Sequence, residues 1–147
     1  KCGFVSVRWE EHASDDSQTK SAKHGHVSYS YYKKRRQQEM NEIEQLKNEF
    51  IKQLSPEKIY LFGSFATGTN TEESDLDFYI VVNDTVTDLL EVTANAYKSI
   101  RKIKQRPVDI IVGTQSRFDE RKEMMSVENE VYKKGVLIYE SGSKTVA

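Results

Sequence analysis

The sequence predicts a small α/β (α+β) domain, a β-sheet covered by α-helices, and three observations carry that prediction. Segments with helical spacing of apolar residues alternate along the chain with short β-branched and aromatic runs. The runs "KIYLF", "LDFYIVV" and "VDIIVG" are each bounded by turn-forming residues, as strands are. With 147 residues, the chain suits one domain with a core of its own.

The elements follow in order. Residues 1–31 are rich in Ser, His, Lys and Asp and hold no sustained period. They are expected to be an appendage: a tag, a leader or a weakly structured arm. Met40 is a natural start, so residues 1–39 are assigned to the appendage leading into a helix, and 40–147 to the domain. His12, His24 and His26 lie in the appendage with Cys2, in a spacing that matches no standard zinc pattern. The basic run Lys33–Arg36 beside Tyr31 and Tyr32 could touch phosphates, but such a run is more often the solvated beginning of a helix. Ile43, Leu46, Phe50 and Leu54 recur on one helical face, and Ser55-Pro56 should end it.

"KIYLFGS" (58–64) reads as a buried strand and "LDFYIVV" (76–82) as a second. Val86, Leu89, Leu90, Tyr97, Ile100 and Ile103 mark a long helix over 86–105, stopped by Pro107. "VDIIVG" (108–113) is a third strand. Ser126 caps a short helix, "VENEVYKKG", ending at Gly135, where a left-handed glycine is expected. "VLIYES" (136–141) is the last strand.

Composition narrows the functional classes. A formal charge of −1 argues against bulk nucleic-acid binding and against a membrane surface. No apolar run reaches the length of a membrane span, and no signal-peptide pattern is visible. One cysteine excludes an internal disulfide and fits a cytoplasmic setting.

The chemistry concentrates in "GSFATGTNTEESDLDF" (63–78). Alternation along the second strand puts Asp75, Asp77, Tyr79 and Val81 on one face, with Leu76, Phe78, Ile80 and Val82 on the other. In the third strand Asp109 faces opposite to Val108, Ile110 and Val112. If the two strands are neighbours, three carboxylates converge on one side of the sheet. Charges removed from water cost several kcal/mol each, and close like charges raise one another's pKa. A divalent cation relieves both, and carboxylate oxygens are the ligands Mg²⁺ prefers. Gly63-Ser64 adds a turn where backbone N–H groups can approach an anion, with the Ser64 hydroxyl as a further donor. Taken singly, a Gly-Ser turn, a strand-capping Asp or a salt-bridged Asp109 would each be unremarkable; their joint occurrence changes the reading. A Walker A loop is excluded, because no Lys follows Gly68.

Gly63-Ser64, the ten residues 65–74, Asp75-Leu76-Asp77 and the later Asp109 resemble the motif of the DNA polymerase beta nucleotidyltransferase superfamily, in particular its minimal nucleotidyltransferase domains. The closing helix and "GVLIYE" extend the resemblance over about residues 40–147. It implies a small mixed β-sheet flanked by α-helices, with the acids holding two Mg²⁺ ions and the triphosphate of ATP or another nucleotide. Asp75, Asp77 and Asp109 would be catalytic and metal-binding, with Asp109 also helping to deprotonate an acceptor hydroxyl. Gly63 and Ser64 would bind the nucleotide's β and γ phosphates. The implied reaction moves a nucleoside monophosphate, AMP from ATP, to the acceptor and releases pyrophosphate. Many relatives carry a basic residue where Thr67 stands, which bears on nucleotide affinity; Lys58 or a helix lysine is the expected substitute.

Minimal members of this kind often stand beside a small helical HEPN-type partner as the antitoxin of a toxin–antitoxin pair, which favours a protein acceptor over a small molecule. The alternative is a non-catalytic module that keeps the fold and acts by complex formation.

Overall fold

A computed structural model describes residues 28–142. The expectations for residues 1–27, the three histidines and Cys2 among them, lie outside that range.

Helix α1 (Tyr29–Leu54) begins where the Ser28 hydroxyl accepts from Tyr31 N. It runs through residue 40 without a break. Ser55, in the left-handed region, donates its N–H to Ile51 O and ends the helix at the expected Ser55-Pro56 boundary. Strand β1 (Lys58–Phe62) leads into the single helical turn α2 (Ser64–Thr67). Strand β2 (Leu76–Val82), helix α3 (Leu89–Ile100) and strand β3 (Val108–Thr114) follow. Helices α4 (Gln115–Arg121) and α5 (Val127–Lys134) precede strand β4 (Val136–Glu140).

The sheet is mixed, in the order β3-β2-β1-β4. Strands β2 and β3 are parallel, while β1 runs antiparallel to both β2 and β4. The predicted class, a small mixed sheet flanked by helices, is therefore the fold observed. Alternation sorts the two faces. Leu76, Phe78, Ile80 and Val82 of β2 join Val108, Ile110 and Val112 of β3 in one core with Ile43, Leu46 and Phe50 of α1 and Ala96 and Ile100 of α3. Phe50 meets Phe78 edge-on with centroids 5.2 Å apart. Each is completely buried, contributing about 2–3 kcal/mol of hydrophobic stabilisation. On the other face, Tyr60, Tyr79 and Val81 pack against Phe118 of α4 and Val131 of α5. Helices α4 and α5 thus roof part of the carboxylate face of the sheet, over Tyr60, Tyr79 and Val81.

Three local expectations differ from the structure. Helix α3 is shorter than the 86–105 predicted from its spacing. The Asp88 carboxylate caps its start by accepting from Glu91 N at 2.9 Å, and beyond Ile100 the chain turns so that Gln105 N donates to Glu42 of α1. Val86 and Ile103 still pack on the core, from turns rather than from the helix, so apolar spacing overstates its length. Helix α4 was not legible, since Phe118 is its one buried residue and sets no period. Gly135 is extended (φ −74°), not left-handed. It is required for room: a Cβ there would collide with the Val131 carbonyl oxygen and lie 3.3 Å from Leu61 O.

Candidate active site

The register of the sheet places two of the predicted aspartates side by side. Asp77 and Asp109 are direct partners across the parallel β2–β3 pair, with backbones about 4.8 Å apart. Phe62, the last residue of β1, is the antiparallel partner of Asp77, so the chain leaves β1 beside that carboxylate. Gly63 comes next. Its φ of +74° favours glycine, and a Cβ there would collide with Asp77 Oδ2 and lie 3.2 Å from Asp77 Cγ. Glycine is demanded twice at this point, by its own backbone and by the acid pressed against it. Ser64 opens α2, whose turn closes as Ala66 N and Thr67 N donate to Gly63 O.

Asp75 stands one residue before β2, exposed, and Asp109 is exposed at the opening of β3. Asp77 is half-buried between them. Burial pushes its carboxyl up to about 6, with help first from the charge of Asp109 and then from that of Asp75. Among the described residues no three His, Cys, Asp or Glu side chains gather closely enough to hold a metal ion as they stand. The candidate donors are carboxylates, the ligand type that Mg²⁺ prefers, and one of them is driven toward protonation by burial and by the other two.

Thr67 and Lys58 can be placed as well. The Thr67 hydroxyl lies 3.4 Å from the carbonyls of Gly63 and Ser64 and 3.0 Å from Thr69 Oγ1, so it is occupied locally. Lys58 does not stand in for the missing cation. It begins β1 opposite Val81, about 13 Å of strand from the Asp77 end, and pairs with Glu140.

The loop that carries the motif is held by residues that the sequence reading passed over. Glu39 of α1, 2% exposed, accepts from Arg35 Nε at 3.1 Å and from the buried Asn70 amide at 3.4 Å. Tyr31 donates to Glu72. Glu42, also 2% exposed, accepts from Gln105 N at 2.7 Å and Arg106 Nε at 2.8 Å, fixing the approach to β3; Pro107 O then accepts from Leu76 N. Two glutamates of one helix thereby fasten both segments that deliver the aspartates. The available signal was that Glu39 and Glu42 fall on or beside the stripe of Ile43, Leu46 and Phe50, where a carboxylate needs a partner.

These elements match a known family. The sequence profile of the nucleotidyltransferase domain matches residues 43–137, so the chain belongs to the nucleotidyltransferase domain family and is by class a transferase. No curated protein matches the chain. Among solved structures, it is similar to a candidate nucleotidyltransferase from Sulfolobus solfataricus, at 19% identity over 70% of this chain and 81% of that one, with a TM-score of 0.49. It is also similar to a toxin–antitoxin solved with AMP-PNP, at 21% identity over 71% and 75%, with a TM-score of 0.42. A mutant of the toxin–antitoxin MntA–HpeT matches at 18% identity over 71% and 75%, with a TM-score of 0.40. No helix among the described residues is long and apolar enough to cross a membrane.

Proposed function

We propose that this chain transfers a nucleoside monophosphate, AMP from ATP, to an acceptor hydroxyl on a partner protein, as the antitoxin of a HEPN-type pair. The observation that carries the transfer is the meeting of Gly63, Asp77 and Asp109 at one corner of the sheet. Asp75, Asp77 and Asp109 are the residues that would hold Mg²⁺. Bound there, the ions would supply charge stabilisation for the transferred phosphoryl group and the leaving pyrophosphate.

The chain's own groups do the rest. Gly63 has no Cβ, so the Asp77 carboxylate can lie against its backbone at the turn where a phosphate would be held. Ser64 offers its hydroxyl to the β or γ phosphate. Asp109 is exposed at the mouth, where an acceptor hydroxyl can reach it and hand over its proton. The protein acceptor and the antitoxin role rest on the resemblance of the Gly63 to Asp109 motif to minimal nucleotidyltransferase domains.

Labelled ATP, Mg²⁺ and a co-purified partner provide the test. Transfer of label is expected with the native chain and should fall at least a hundredfold in the Asp75→Asn, Asp77→Asn double variant. Equal labelling by that variant would rule the reading out. A second reading, a binding module without catalysis, is favoured by the absence of a cation at Thr67 and by the local engagement of its hydroxyl. Calorimetry separates the two, because a pure scaffold takes up no Mg²⁺-ATP.

A further inference from the structure

A second polar cluster lies on the same face of the sheet as the aspartates and takes no part in the proposed transfer. Glu128, in the first turn of α5, is 1% exposed. It accepts from the Tyr79 hydroxyl at 3.0 Å, from Arg117 Nε at 3.3 Å and from Arg121 Nε at 3.1 Å. Gly113 of β3 makes room for the arrangement, since a Cβ there would collide with the Tyr79 hydroxyl. Burial pushes the Glu128 carboxyl up, but its backbone N–H and the Arg121, Tyr79 and Arg117 donors outweigh that and hold it below the usual range. It is therefore ionised.

One carboxylate balances one guanidinium, and here there are two, which leaves a net charge of about +1. Arg117 and Arg121 are four residues apart on α4 and share one side of it. Both are fastened through Nε to a buried anchor, yet their side chains remain 54% and 40% exposed. Their rotamers are set in advance, so little freedom is lost when the outer N–H donors engage a ligand.

We propose that Arg117 and Arg121 form a phosphate-binding subsite on the sheet face that carries Asp77 and Asp109. A tetrahedral phosphate presents enough oxygens for two guanidinium forks at once. The subsite is separate from the aspartates: Gly113, beneath it, is four residues and about 13 Å of strand beyond Asp109. The phosphate can be free or can belong to a nucleotide.

The test is a titration in EDTA, so that its outcome does not depend on metal-supported transfer, with the arginine Nε–H signals followed by NMR. One arm adds inorganic phosphate and the other adds ATP. Saturable shifts of the Arg117 and Arg121 signals are expected with phosphate; the same shifts with ATP would identify the nucleotide as a source, and their absence there would restrict the subsite to other phosphates. Arg117→Ala and Arg121→Ala should each weaken phosphate binding about tenfold, the loss of one charged hydrogen-bonding group. Each leaves Glu128 one guanidinium, and Arg117→Lys, which keeps the charge but not the fork, serves if an alanine variant melts early. Arg101→Ala, an exposed cation elsewhere, should bind as the native chain does. Non-saturable shifts, undiminished binding in Arg117→Ala and Arg121→Ala, or an equal loss in Arg101→Ala would overturn the proposal.

Discussion

Replacing Asp77 with Asn should make the protein more stable while removing its transfer activity. The carboxyl titrates near 6 in the folded chain against an ordinary 3.8. Between those values the folded chain holds a proton that the unfolded chain has released. Stability therefore falls as pH rises through that window, and the penalty is complete above about pH 6. For a fully desolvated group such a shift is worth roughly 3 kcal/mol. Asp77 is only half-buried, and solvent screening reduces the part felt by folding to about 1–2 kcal/mol. Asn is nearly isosteric and uncharged, so Asp77→Asn should raise Tm by about 3–8 °C at pH 7 in EDTA and by almost nothing at pH 4. Differential scanning calorimetry of both proteins at the two pH values measures it. A variant that melts at or below the native temperature at pH 7, or gains as much at pH 4, would refute the claim that repulsion and burial weigh on this side chain.

Other perturbations test the scaffold and the metal. Adding Mg²⁺ at pH 7 should raise the native Tm, by about 2.7 kcal/mol of linkage at a hundredfold excess over Kd, and leave Asp77→Asn unmoved; calorimetric scans with and without the ion decide it. Gly63→Ala puts a Cβ on Asp77 Oδ2 at a positive φ, and should cost about 1–3 kcal/mol in chemical denaturation as well as abolishing transfer. Glu42→Ala strands Arg106 Nε and Gln105 N, and should cost about 3 kcal/mol, with hydrogen exchange accelerating first in residues 101–107. Gly113→Ala should displace the Tyr79 hydroxyl from Glu128 and cost about 1–3 kcal/mol by urea melts, with no direct contact to the aspartates.

Much of this molecule is written in short-range pattern. Alternation within "LDFYIVV" and "VDIIVG" assigned the residues of β2, and Val108, Asp109, Ile110 and Val112 of β3, to a face, because a strand has only two. Glycine at 63 and the acids at 75, 77 and 109 marked a candidate site through local chemistry, since backbone freedom and a carboxylate's charge are properties of the residues themselves. The ends of α3, the existence of α4 and the true reason for Gly135 were not written there. Each depends on a distant partner: Glu42 captures Gln105 N, the sheet receives Phe118, and Leu61 O and Val131 O crowd Gly135.

Tertiary structure also decided how the acids meet. Nothing local says that β3 lies parallel beside β2 in the register that pairs Asp77 with Asp109, or that β1 ends against Asp77 so that Gly63 touches it. Nor does spacing name the partners of the interior carboxylates Glu39, Glu42 and Glu128, which lie up to 64 residues away. Sequence by itself determined which side chains carry charge and which face of a strand each takes. Pairing between strands and the capture of loops by buried glutamates are long-range choices, made by the packing of the whole chain.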